Sequence, residues 1–189
     1  VAGSSLNCND SVACTNDSCN AVSGCIHADN CTGGATCDVG TGACESAPIV
    51  VTFQQGVLPS PSYLGAVDTF IHATDLTSHA TSVALTVDVS PGPQQALLRF
   101  GSLFTSEGGP IPTGATITSA TLALNITNFT ASTIGFHPML QTWADTALYT
   151  TFGSAPWNAT AGIQPDNVEA ATTPDASRSY PTTGANQTV

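Results

Sequence analysis

The chain has 189 residues, a net charge of −11, and charged side chains at only 8% of positions, against about 25% in an ordinary soluble domain. Its only basic residues besides histidine are Arg99 and Arg178, so it cannot build the cationic footprint of a nucleic-acid binder or a polybasic membrane contact. No apolar run reaches the 18 residues that a membrane-spanning helix needs, so no membrane insertion is expected. The opening Val1-Ala2-Gly3-Ser4-Ser5 is small and polar and lacks the apolar core of a signal peptide, so the expectation is that, if the protein is secreted, this is the mature form.

Residues 1–47 form the first expected domain and hold all seven cysteines: Cys8, Cys14, Cys19, Cys25, Cys31, Cys37 and Cys44. Turn formers fill the gaps, as in Asn9-Asp10-Ser11, Asn16-Asp17-Ser18 and Gly40-Thr41-Gly42. So short a stretch, with almost no large apolar side chains, cannot bury a core, and cross-links must substitute for one. Zinc prefers tight Cys-x2-Cys knuckles, which this spacing lacks, so disulfides are the better reading and no metal site is expected. An odd count leaves one cysteine unpaired or bonded to another chain, and spacing cannot select the connectivity. Asp10, Asp17 and Asp29 could gather a calcium ion, but turn-forming carboxylates are the simpler role.

The run from Cys8 through Cys14 and Cys19 to Asn20, followed by Gly24-Cys25-Ile26-His27, resembles the short cysteine-rich repeats of extracellular slime-mould and myxobacterial proteins. That resemblance implies an extracellular structural or adhesive setting.

A short linker over 45–49 leads into the second expected domain, 48–189. Ile49, Val50, Val51, Thr52 and Phe53 read as a strand, either paired in its own domain or donated to another chain. A loop with Gly56, Pro59, Pro61 and Gly65 follows, then a strand over 67–73. In 82–90, Val83, Leu85, Val87 and Val89 alternate with Ala84, Thr86 and Asp88, the period of a strand with one dry face. Pro91-Gly92-Pro93 ends it, and further strands are expected over 96–100, 115–127, 133–138 and 139–143. Short strands with regular turn signals and no helix-period stretch give an all-β fold, a β-sandwich or jelly roll.

The body's order of features resembles the DNRLRE-type domain. The residues that carry it are Val67-Asp68-Thr69-Phe70-Ile71, Ala96-Leu97-Leu98-Arg99-Phe100, the Pro-x-Gly-Ala-x-Ile-x-x-Ala-x-Leu pattern from Pro112 to Leu122, and Trp143 and Trp157. The resemblance implies a secreted jelly roll similar to carbohydrate-binding modules. The tail, 158–189, departs from it: Ile163, Val168 and Val189 are its only β-branched aliphatics, so a closing strand is expected to be weak or missing. A sandwich short of a strand leaves a groove that another chain can fill.

The sequon Asn-x-Ser/Thr occurs at Asn9, Asn16, Asn30, Asn125, Asn128, Asn158 and Asn186. Chance would give roughly two or three such sites among the asparagines of a Ser/Thr-rich chain. Covalent N-glycans are therefore expected and would supply the solubility that charge does not.

No enzymatic constellation stands out. His27, His72, His79 and His137 lie in no nucleophile motif, and the glutamates Glu45, Glu107 and Glu169 are few for paired-carboxylate chemistry. Sugar binding would need exposed rings, for which Trp157 and Tyr180 are the leading candidates, with Tyr63, Trp143 and Tyr149 behind them. The expected function is that of a secreted, non-catalytic, glycosylated structural protein without a cofactor, which partners copies of itself in a surface filament or matrix. The alternative is a carbohydrate-binding module of a secreted enzyme or adhesin.

Overall fold

A computed structural model describes residues 6–158 and 160–189. The chain divides into two compact units, Val1–Val50 and Val51–Val189. Among the described residues there is no α-helix, only one 3-10 turn at Thr105–Glu107, so the fold is nearly all β.

The first unit is two hairpins. Strand β1 (Thr15–Asn20) pairs antiparallel with β2 (Gly24–Asp29), and β3 (Ala35–Asp38) pairs with β4 (Ala43–Ser46). Both turns use glycines at positive φ, Gly24 at 81° and Gly42 at 72°, a region that a side chain disfavours. Apart from Cys8 and Cys14 the described part of this unit buries no hydrophobic side chain, and the strand residues are half-buried at most. Hairpins of this length are marginal in water without other support.

The second unit contains three further ladders. Strand β5 (Ala66–His72) pairs with β6 (Gln94–Phe100), β7 (Ala123–Ile126) with β10 (Gly184–Thr188), and β8 (Thr130–Phe136) with β9 (Ala176–Tyr180). Among the described residues all the sheets are two-stranded. The β5–β6 ladder closes where the Gly101 N–H donates to the Gly65 carbonyl; a Cβ on Gly65 would lie 2.3 Å from the Gly101 oxygen.

The core gathers Ile71 from β5 and Leu97 from β6 with Trp143, Ala147, Trp157, Ile163 and Ala170, all from one irregular segment. Polar side chains replace strand pairing in that segment. The Gln95 amide donates to the Ile163 carbonyl and accepts from the Ile163 N–H, both at 2.8 Å, as a neighbouring backbone would. The Glu169 carboxylate, 1% exposed, accepts the N–H groups of Asn158 and Gln164. Asp166 accepts the N–H groups of Val168 and Glu169, and the Asn167 side chain accepts that of Thr172.

Several sequence expectations need correction. Residues 82–90 form no strand: Asp88–Gln94 is an isolated β-bridge, and Val83, Val87 and Val89 are exposed. The Asp88 carboxylate accepts the N–H groups of Val89 and Ser90, which turns the chain before a ladder can form. Alternation had no partner strand to act on. Of 115–127 only β7 is a strand; residues 115–121 are exposed, and half-buried Leu122 exchanges backbone hydrogen bonds with Val189. That exchange shows the opposite correction in the tail, which supplies two strands, β9 and β10. Asn186 at φ 55° accompanies the break in register between Gly184 and Gln187 that lets β10 follow β7. Ile49, Val50, Val51, Thr52 and Phe53 are not a strand either, and Ile49 and Val50 are exposed and unpaired.

Glu169→Ala strands two inward-facing N–H groups and is expected to lower stability by about 2–3 kcal/mol, measured by urea unfolding. Glu169→Gln keeps an acceptor and is expected to lose less.

Candidate functional site

The cysteine-rich unit concentrates the reactive side chains. Cys8 bonds to Cys25, Cys14 to Cys37 and Cys31 to Cys44, closing spans of 17, 23 and 13 residues. By loop-closure entropy each cross-link removes roughly 3 kcal/mol of freedom from the unfolded chain. The pattern is regular. In each hairpin the second-strand cysteine, Cys25 or Cys44, bonds to a cysteine ahead of that hairpin, Cys8 or Cys31. The first-strand cysteine of the second hairpin, Cys37, bonds outward to Cys14 at the base of the first. The first-strand cysteine of the first hairpin is Cys19, and it is unpaired and exposed.

Cys19 stands directly opposite Cys25 on the β1–β2 ladder, as Cys37 stands opposite Cys44 on β3–β4. The Sγ atoms of Cys8, Cys19 and Cys25 all lie within 4.8 Å of one another. The Cys19 thiol points at the Leu6 carbonyl, 3.5 Å away.

A second cluster lies on the same hairpin. Asp17 and His27 are cross-strand partners, and His27 Nδ1 is 2.7 Å from Asp17 Oδ1 and 3.1 Å from Asp10 Oδ2. The hydrogen bond to Asp17 raises the His27 pKa above its ordinary 6.5, and the same bond lowers that of Asp17 below 3.8. All three residues are exposed. Asp10 also accepts the Val12 N–H and the Thr15 hydroxyl, and Asp17 accepts the Asp10 N–H. Asp29 is not part of this group. Its two oxygens accept the N–H groups of Cys31 and Cys37, which lower its pKa. Asp38 likewise holds Thr41 and Gly40 in the β3–β4 turn. These carboxylates act as turn and bridge acceptors, which accounts for much of the head's acidity.

The candidate sugar-stacking rings are corrected by their burial. Trp157 is 4% exposed, donates its indole N–H to the Leu148 carbonyl and packs edge-on against Phe152; Tyr180 is 1% exposed, with the Arg178 guanidinium over its ring. Neither offers a face to a sugar. Trp143 is buried under Arg99, whose guanidinium lies 4.8 Å from the ring centre and donates to the Trp143 carbonyl. Tyr63 is buried with its hydroxyl on the Gly101 carbonyl. Among the described residues the one exposed aromatic ring is Phe129, inside the sequon of Asn128.

The histidines of the body do not converge. His79 stacks on Phe70 with ring centres 3.9 Å apart, His72 approaches Thr74, and His137 Nδ1 donates to the Ala171 carbonyl. By contrast all seven sequon asparagines, Asn9, Asn16, Asn30, Asn125, Asn128, Asn158 and Asn186, are exposed. No helix of the described chain is long and apolar enough to cross a membrane, and three disulfides are consistent with an extracellular setting.

Comparison with protein families, with curated proteins and with solved structures finds no match to this chain.

The linkage of the His27 pair has a defined sign. A raised His27 pKa contributes stability fully present below pH 6.5 and lost as pH rises through the folded value. A lowered Asp17 pKa contributes stability present above pH 3.8 and lost as pH falls through the folded value. The pair is therefore strongest in the mildly acidic range between them. An NMR titration is expected to place His27 above 6.5, and Asp17→Asn to bring it back down.

Proposed function

We propose that this chain is a secreted, non-catalytic, N-glycosylated structural protein that assembles with copies of itself into a surface filament or matrix. Its body is a jelly-roll-like sandwich, and its cysteine-rich head is the covalent contact. The observation that carries this reading is the place of Cys19. The equivalent residue of the second hairpin, Cys37, bonds outward to the base of another hairpin, and Cys19 holds the same position with its thiol exposed. An exposed thiol in an oxidising compartment is poised to pair with a second chain.

Two further features support association. The two-stranded ladders leave backbone edges open to strand addition. Ile49 and Val50, 82% and 90% exposed, lie outside every strand of the described residues and suit the role of donated strand. Glycans on the exposed sequons would keep such a low-charge assembly hydrated. The carbohydrate-binding alternative is weaker, because Trp157 and Tyr180 are buried.

Native mass, read by light scattering and electron microscopy on glycosylated material, tests the reading. Regular polymers that dissociate with reductant, and that Cys19→Ser fails to form, are the expected result. Polymers that persist in Cys19→Ser but vanish on Ile49→Asp with Val50→Asp would move the contact to strand addition. A monodisperse monomer in every condition would overturn the assembly reading. Trp157→Ala is expected to cost about 3–5 kcal/mol of stability by chemical denaturation, as removal of a core ring does, whatever polysaccharide is offered.

A further inference from the structure

The three clustered sulfurs of the first hairpin hold one disulfide and one thiol. We infer that Cys8, Cys19 and Cys25 form a single exchanging set, in which the disulfide passes between Cys8–Cys25 and Cys19–Cys25. The Cys19 thiol gives its proton to solvent, and the thiolate attacks Cys25 Sγ. The Cys19–Cys25 bond forms as the Cys8–Cys25 bond breaks, and Cys8 leaves as a thiolate that takes a proton from water. One disulfide and one thiol stand on each side, so the step needs no oxidant and no reductant.

Three observations carry this. The sulfurs are within 4.8 Å of one another, so the attacking and attacked atoms are already neighbours. Cys19 is exposed, so solvent reaches the attacking sulfur. The product is already framed by the backbone: Cys19 and Cys25 are directly opposed on an antiparallel ladder. Such pairs have Cα atoms about 4.5–5.5 Å apart, inside the span a disulfide bridges. The second hairpin sharpens the point. Cys37 and Cys44 are opposed in the same way, yet each is bonded to a third cysteine and no thiol is left to begin an exchange.

The consequence is a relocation of the free thiol. In one isomer it sits on β1 at Cys19; in the other it sits at Cys8, which precedes the hairpin and has lost its covalent tie to β2. The hairpin is then closed across its own strands, and the segment around Cys8 keeps only non-covalent ties to it, through Asp10 on Asp17 and His27. The isomers would present two different attachment points from one sequence. The chemistry belongs to the single chain and stands whether or not copies polymerise.

The test uses the full chain with its seven cysteines, held dilute and without reductant. Samples are incubated at mildly alkaline pH, where thiol–disulfide exchange proceeds, or kept acidic, where it is slow. Each is acidified, capped with a maleimide, cleaved with pepsin in acid and mapped unreduced by mass spectrometry. The expected result is label on Cys19 alone in the low-pH sample. Label on both Cys19 and Cys8 is expected after alkaline incubation, with a Cys19–Cys25 crosslink rising in step with the Cys8 label. Cys19→Ser is expected to keep Cys8–Cys25 intact and take no label. Label confined to Cys19 after alkaline incubation would overturn the inference. So would label spread to Cys14, Cys31, Cys37 or Cys44, or label on Cys8 in Cys19→Ser.

Discussion

Lack of buried apolar area in residues 6–50 is the constraint on which the rest depends. Two short hairpins with exposed or half-buried strands cannot offset the conformational entropy of ordering their backbone. Three cross-links and a set of aspartates do so instead. The disulfides act chiefly on the unfolded chain, whereas Asp10, Asp17, Asp29 and Asp38 act on the folded one by accepting backbone and side-chain hydrogens at turns and crossings. Because the stabilising groups are sulfurs and carboxylates, the same economy that folds the unit also gives it its chemistry: one thiol beside a disulfide, and one histidine between two carboxylates.

The body solves a related problem differently. Its core is built on a single ladder, β5–β6, and the residues packed against it come from a segment with almost no regular structure. Buried backbone must still be satisfied. Gln95 does this for Ile163, and Glu169 for Asn158 and Gln164. The arrangement places Trp157 and Ile163 in the core without a strand to carry them. It also leaves other apolar stretches, such as Val83, Val87 and Val89, outside.

These differences explain what the sequence made legible. The cysteine-rich unit, the β class and strands β5 and β6 follow from composition and from dense apolar pattern, which report burial directly. The 82–90 alternation misled because period two states a preference and not a partner. The tail misled the other way. Strands β9 and β10 are Ser, Thr, Ala and Asn over most of their length, held by ladder bonds and by Arg178, which reaches the Thr188 carbonyl. The Cys19–Cys25 and Asp17–His27 pairs went unforeseen for a simpler reason. Reading Gly24 as the end of a hairpin turn would have set β1 against β2 and placed both pairs opposite each other. Burial of Trp157 and Tyr180 had no signal in the chain beyond their apolar bulk.

Cross-links stand in for a core in the first unit, while a core and polar bracing hold the second. Amide hydrogen exchange, followed residue by residue before and after reduction in non-denaturing buffer, tests this most directly. Protection is expected to be lost throughout β1, β2, β3 and β4 and retained in β5 and β6. Hairpins that keep their protection once reduced would contradict it, as would a body that unfolds with them.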